Sequence, residues 1–472
     1  MPFRFEWLWS DLLVWLLVVV AIGFAVYTRA RPHLRAPWSR VARSASGMAA
    51  ATVLTLFVLT GLLDSVHYRE ALPPQGGKTA YATELRSVLD RLLQPLRATR
   101  EKTYSAPLAT HLFAKEAALL PDGREERVFP RLRHGGAHLA DPQADRARDV
   151  TVKAFRGLAM ALLLWFAAAI GICAAVARHT DAGVESAWRD VWAGRTTVPW
   201  RAVLCALGLL CALIGPVAAL APHYHVLGTD KVGQDVLYQA LKSIRTGLVI
   251  GTLATLVMLP FALVLGVMAG YLKGRVDDLI QYLYTTLSSI PGVLLIAAAV
   301  LMMQVYIENH PELFPSTEIR ADVRLIALCV ILGVTSWTGL CRLLRGEALK
   351  LREMEYIQAA HAFGVSHWRI MMRHIVPNVM HIVMIALVMD FSGLVLAEAV
   401  LSYVGVGVDP SMISFGTMIN SARLEMAREP MVWWSLAAAF VFMLALVLSA
   451  NLFADAVRDA FDPRLLVSGV RT

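Results

Sequence analysis

The stretch EYIQAAHAFGVSHWRIMMRHIVPNVM, residues 355–380, decides how the chain is read. It is polar and basic, and it stands between apolar runs at about 323–341 and 379–402. In a membrane protein such an insert between spans is read as reaching a partner in the cytosol. Glu355 to His361 favour a helix, and Ala359 and Ala360 present so little bulk that another protein surface can approach the backbone. Gly364 permits a turn that a residue with a Cβ resists. Pro377 cannot donate a helical hydrogen bond and is expected to end the segment before the next span. An ordinary amphipathic loop helix is the alternative. His361, His367 and His374 are spaced so that no two reliably share a face with a third ligand, which points to a solvated or docking surface rather than a metal site.

Composition sets the frame. Of 472 residues, 57% are hydrophobic and 17% charged, against about 25% charged in soluble domains. A mean hydropathy of +0.56 points to a polytopic membrane protein. A hydrocarbon core of roughly 30 Å needs about 20 apolar residues per helix. Nine runs qualify, near 10–28, 47–63, 154–177, 201–221, 246–270, 283–306, 323–341, 379–402 and 432–455. The net charge of +8 is concentrated in short loops, among them Arg29, Arg31, Arg35, Arg40 and Arg43 in one and Arg342, Arg345, Lys350 and Arg352 in another. The positive-inside rule puts these loops in the cytosol, and nucleic acid is not the expected partner. The same threading puts the N-terminus outside, the C-terminus inside, and residues 64–152 outside. The first apolar run is expected to be a retained span rather than a signal peptide. The five cysteines fall in or beside apolar runs, so they are read as buried small side chains, with no disulfide framework or metal site implied.

Residues 64–152 read as an appended cap. Leu85, Val88, Leu89, Leu92, Leu93 and Leu96 predict a helix with Thr83 as N-cap, ended or kinked at Pro95. Residues 121–150 read as loop.

With these residues in hand, the insert resembles the cytoplasmic EAA loop of permease subunits in bacterial binding-protein-dependent ABC importers, in the dipeptide, oligopeptide and nickel branch. Gln358, Ala359 and Ala360 stand for Glu-Ala-Ala, Gly364 for the following glycine, and His374, Val376 and Pro377 close the pattern. Four more stretches extend the resemblance over about residues 200–466. Gly228, Thr229, Asp230, Gly233 and Asp235 match LGTDxxGxDV; the residues themselves read as a structural turn with Asp235 capping the next helix, and contact with a solute-binding protein is the alternative. Gly270, Gly274, Asp277, Pro291 and Leu294 match a second stretch, with Lys273 in place of a usual glycine. Pro291 breaks a membrane helix and is read as pathway lining, hinge or plain structure. Glu398, Ser402, Gly405, Gly407 and Pro410 match a third. A carboxylate in a span costs on the order of 2.5–3.5 kcal/mol on insertion scales, so Glu398, and Asp390 deeper in the same span, must face protein or water. Asp390 is not part of the branch's pattern. Gly393 and Ala397 read as a helix-packing pair. Asn451, Asp455, Arg458, Asp459, Asp462, Pro463 and Arg464 match a C-terminal stretch in which Asp455, Arg458 and Asp459 can pair on one helix face.

The resemblance implies an all-α polytopic protein, with a six-span type I importer core similar to methionine-importer permeases and a three-span N-terminal extension. The expected organisation is 1–63 (two spans), 64–152 (external), 153–200 (third span and loop) and 201–466 (permease domain). It further implies docking of the 355–377 segment on separate ATP-binding subunits, a second homologous permease forming a heterodimer, an extracytoplasmic solute-binding protein, an inner-membrane location, and peptide cargo, with nickel or another small solute as the alternative. A membrane-anchored sensory or scaffold protein is the rival class. The chain has no G-x4-GK[ST] phosphate loop, so ATP hydrolysis falls to a partner. No catalytic constellation, cofactor or metal ligand set is expected.

Overall fold

The computed structural model describes residues 3–72, 81–119, 125–180, 183–314 and 316–461. In chain order, strand β1 (Phe3–Phe5) precedes α1 (Trp9–Ala30), α2 (Pro32–Val41) and α3 (Ala45–Asp64). Then come β2 (His67–Glu70), β3 (Arg86–Ser87), α4 (Val88–Leu92), α5 (Gln94–Ala98), β4 (Glu116–Leu119) and β5 (Glu125–Val128). Helices α6 (Pro142–Thr180), α7 (Val184–Trp192), α8 (Trp200–Leu220), α9 (Val236–Leu272), α10 (Gly274–Ser289) and α11 (Gly292–Asn309) follow. The chain continues through α12 (Thr317–Ser336), α13 (Thr338–Arg352), α14 (Glu355–Ala362), α15 (His367–Ile370), α16 (Val376–Val404), α17 (Phe415–Glu425) and α18 (Trp434–Phe461). Among the described residues eight helices are long and apolar enough to cross a membrane, and nine if α12 and α13, bent by 40° at their junction, form one span. Each overlaps one of the nine apolar runs. The run at 283–306 is divided: α10 ends before Pro291, and α11 alone makes the span.

Two compact units emerge, and they cut across the domain boundaries expected from the sequence. The first contains residues 1–6, 39–246 and 413–449. Its spans pack through small residues. A Cβ at Gly157 of α6 would lie 2.3 Å from the Gly215 carbonyl of α8, and one at Gly215 would lie 2.5 Å from Ala161 Cβ. Helices this close exchange dispersion contacts along their backbones, as small-xxx-small pairs do in membranes. Trp165 Nε1 donates to the Leu204 carbonyl at 2.8 Å, tying the same two helices. Strand β1 pairs antiparallel with β2, in register Phe3 with Glu70, and β2 with β3. The N-terminal strand and the segment after α3 therefore meet at one end of the unit.

Between residues 64 and 152 the helix expected from Thr83 begins later. Arg86 and Ser87 join the sheet, and Ser87 caps α4: its hydroxyl accepts from Asp90 N (3.1 Å) while the Asp90 carboxylate accepts from Ser87 N (2.9 Å). Pro95 falls in the first turn of α5, where its missing donor is harmless. Residues expected as loop include β5 and the start of α6.

The second unit contains residues 7–38, 247–412 and 450–472. Its larger core gathers Met258, Ala262, Tyr271, Trp337, Leu344, Ile357, Ile370 and Ile375. Helix α9 rides on α13 over Gly266 and Gly270; a Cβ on Gly270 would sit 2.5 Å from the Arg345 carbonyl. Asp277 of α10 takes a two-pronged grip from Arg345 of α13, with Nε to Oδ1 at 2.6 Å and Nη2 to Oδ2 at 2.7 Å. Helix α1 is fastened to α12 by Ser10, whose backbone N donates to Asp322 (3.2 Å) and whose hydroxyl does the same. Asp455, Arg458 and Asp459 lie on the last turns of α18 and form no ion pair among the described residues. Asp462, Pro463 and Arg464 lie outside the described residues.

Candidate functional site

The insert read from the sequence is built outward from one buried side chain. Ile357, 1% exposed, plugs α14 into the core of the second unit. Glu355 stands in the first turn, where its charge favours the helix N-terminus. The helix ends as a Schellman turn: Gly364 N donates to the His361 carbonyl (3.0 Å) and Val365 N to the Ala360 carbonyl (3.1 Å). Gly364 has φ +75°, and a Cβ there would meet nothing within 4 Å. Backbone conformation, not crowding, requires the glycine. Val365 and Ala360 both lean on the core, so the turn fixes which face stays outside.

That outer face mixes aromatic and polar side chains. Phe363 is 87% exposed, Trp368 60%, and Tyr356, Gln358 and Ala359 are exposed with them. Two exposed aromatic rings flank Ala359 on this face. Neighbouring elements brace it. Arg352 Nη1 donates to the Tyr271 carbonyl at the end of α9 (2.9 Å), and Lys273 pairs with Glu353 (2.8 Å). The rings of His361 and His367 stand 5.2 Å apart, with Tyr271 Oη 3.0 Å from His367 Nδ1. No group of three metal-ligating side chains gathers among the described residues.

Pro377 does not end the segment. A single apolar helix runs from His367 to Val404, and residues 371–375 make a π-helical turn just before the proline. Val376 N donates to the Met371 carbonyl, and Asn378 Nδ2 takes the His374 carbonyl at 2.6 Å. The wide turn rearranges the hydrogen-bond ladder where proline lacks its donor, so α15 continues into α16. His374 itself is half-buried, its ring 6.2 Å from that of Tyr356.

The turn at residues 228–235 lies in the first unit, under residues 101–105. Gly228 and Gly233 have φ +73° and +72°. A Cβ on Gly233 would overlap the Glu101 carbonyl at 1.9 Å, and one on Gly228 the Ser105 carbonyl at 2.5 Å. Thr229 Oγ1 accepts from Ser105 N (2.7 Å) and donates to the Thr103 carbonyl (2.9 Å), while Trp434 Nε1 donates to the Thr229 carbonyl (2.9 Å). Asp230 folds the loop by accepting from Val232 N and Gln234 N. Asp235 caps α9 through Leu237 N (2.9 Å) and Tyr238 N (3.2 Å). The exposed tip is Lys231 and Val232, with Asp230 and Gln234 half-buried beside it.

Beneath the turn sits a buried charge cluster that the sequence did not reveal. His225 Nδ1 lies 2.8 Å from Asp235 Oδ2 and Nε2 lies 3.5 Å from Glu101 Oε1, all three residues being buried. Glu101 also accepts from the backbone N of Arg133, His134 and Gly135 at 2.8–3.2 Å. Burial pulls the imidazole pKa down, but the two carboxylates outweigh it and raise His225 to about 9. Burial likewise opposes ionisation of Glu101, yet the bonds from His225 and the three amides bring it down to about 2. Lys242 joins Asp64 (2.5 Å) and Asp90 (3.1 Å), and Tyr238 Oη donates to Asp90 (2.7 Å), locking the same segment to α9.

In α16, Glu398 is buried and accepts from Ser402 Oγ at 2.7 Å. Gly405, at φ +90°, stops the helix, and Gly407 lies against Ser402, whose Oγ a Cβ would meet at 1.9 Å. Asp390 is half-buried and joined by no hydrogen bond or ion pair to the described residues. Gly393 has no described residue within 4 Å of where its Cβ would stand, while Ala397 packs against the second core of this unit. Pro291 is the N-cap of α11 and its carbonyl accepts from Leu294 N (2.9 Å) and Leu295 N (3.1 Å), which makes the break in the helix a regular helix start.

Comparison with known proteins bears on this arrangement. The family described as "Binding-protein-dependent transport system inner membrane component" matches residues 262–467, the part that carries the α14 insert. The oligopeptide transport system permease protein of Mycobacterium tuberculosis is 34% identical over 249 residues, 52% of this chain and 79% of that one. The dipeptide transport system permease protein of Bacillus subtilis is 26% identical over 306 residues, covering 61% of this chain and 88% of its own. The glutathione transport system permease protein of Pectobacterium atrosepticum is 28% identical over 306 residues, 60% and 94%. The chain belongs to the inner-membrane components of binding-protein-dependent transport systems, a multi-pass transport family and not an enzyme family.

Proposed function

We propose that this chain is one of two permease subunits that carry peptides across the inner membrane, driven by separate ATP-binding subunits. The observation that carries the coupling half is the exposed pair of aromatic rings, Phe363 and Trp368, beside Ala359, held out by Ile357 and the Gly364 turn. The peptide half rests on the names of the oligopeptide and dipeptide relatives. In this reading an ATP-binding subunit grips α14, and its closure passes through the Gly364 turn to α15, which continues through the π turn into α16. Alternating access follows as the spans rock, and no bond in the cargo is broken. The two-pronged Asp277 and Arg345 pair and the close α9–α13 contact make α9, α10 and α13 move as one. A binding protein delivers cargo from the side of residues 64–141, and the N-terminal strand shares that side because it pairs with β2. The second permease is homologous to but different from this chain.

A photo-reactive amino acid at position 359, in cells expressing the whole system, tests the coupling half. A cross-link to the ATP-binding subunit is expected. A cross-link to lipid alone, with the complex intact on purification, would refute it.

A further inference from the structure

Two carboxylates stand inside α16, and they are treated differently. Glu398 is buried and held by Ser402. Asp390 stands at the midpoint of the helix, fourteen residues from Val376 and fourteen from Val404. It is half-buried, and no hydrogen bond or ion pair joins it to a described residue. The apolar run around it, 379–402, holds no lysine or arginine. Asp390 borders a stripe of exposed residues, Met389, Gly393, Leu396, Val400 and Tyr403, and one turn along, Gly393 opens onto empty space. A carboxylate at mid-bilayer is not left facing hydrocarbon; it faces water or a counter-charge. On this face the described residues supply no cation bonded to Asp390 and nothing within 4 Å of a Cβ at Gly393.

We propose that Asp390 is a cation-binding site in the translocation pathway that takes the positively charged groups of the cargo, the α-ammonium and basic side chains of a peptide, as they pass mid-membrane. The inference rests on the peptide reading and goes beyond it by naming a specificity residue. Every free peptide carries an ammonium at neutral pH. In a region of low dielectric that charge needs a counter-ion, and a mid-span carboxylate supplies one with an attraction far stronger than in bulk water.

The test is uptake of trilysine, trialanine and triglutamate into vesicles holding the complete transporter with its binding protein. Asp390→Asn is expected to lower the maximal uptake rate of trilysine at least about tenfold, trialanine less, and triglutamate least. The half-saturating concentration, set by the binding protein, should stay put. Asp390→Glu should restore most of the rate, which a packing role would not allow. Undiminished uptake, an equal loss for all three peptides, or loss of the second permease from the purified complex would each overturn the proposal. Failure of the wild-type transporter to take up any of the three would sink the peptide reading itself.

Discussion

Replacing Glu101 with alanine should release the external segment from the turn that it covers. The carboxylate is the acceptor for three backbone N–H groups, of Arg133, His134 and Gly135, and one of two counter-charges of the buried His225. Removing one member of a buried pair leaves an uncompensated charge and costs about 3–5 kcal/mol. The pH dependence follows from the same groups. His225 titrates near 9 in the fold and at the ordinary 6.5 when released, so its contribution is fully present below 6.5 and is lost as pH rises through about 9. At roughly 1.4 kcal/mol per pH unit this amounts to about 3 kcal/mol. Glu101 runs the other way: lowered from 4.5 to about 2, it contributes above 4.5 and is lost as pH falls toward 2. Hydrogen exchange on the purified protein reads the opening of residues 101–135 directly. At pH 7 the alanine variant should lose about two to four orders of magnitude of protection there, and the wild type should lose protection progressively above pH 7. Unchanged protection in the variant, or wild-type protection that rises toward pH 9, would refute the cluster as the fastener.

Gly364→Ala meets no steric obstacle but must hold φ +75°, a strain of roughly 1 kcal/mol; ATP-subunit binding should weaken about fivefold, and Gly364→Trp should uncouple ATP hydrolysis from uptake with the protein still inserted. Gly270→Val forces a Cβ to within 2.5 Å of the Arg345 carbonyl, so the thermal unfolding midpoint in detergent should fall by several degrees, in line with overpacking costs of about 1–3 kcal/mol. Reporter fusions near residue 36 should mark the cytosol and near residue 110 the external side; a cytosolic residue 110 would contradict the threading.

The spans were legible in the sequence because hydrocarbon permits so little else: a 20-residue apolar run has to be helix. The end of α14 was legible for a local reason, since a glycine nine residues after an N-terminal glutamate leaves a Schellman turn as the natural stop. The external turn was half legible. Asp235 was read as a cap and is one, because capping is settled within three residues. What covers the turn was hidden, since Glu101 and His225 are 124 residues apart and nothing local announces their meeting. The proline misled for a related reason: its effect was judged against an α-helix, and the π turn at 371–375 lets the helix run through it. Leucines around 85–96 carried helical spacing, yet the sheet formed with β2 claimed Arg86 and Ser87, a non-local pairing that overrides local preference.

The central claim is that α14 transmits ATP-driven closure to the spans for peptide transport. The most direct measurement is uptake of labelled trialanine into vesicles that contain this chain, its second permease, the ATP-binding subunits and the binding protein, with and without ATP, in the wild type and in Gly364→Trp. The account predicts ATP-dependent accumulation by the wild type and its loss in the variant, with insertion and ATP hydrolysis retained. Wild-type uptake that is indifferent to ATP, or accumulation by the variant at the wild-type rate, would contradict it.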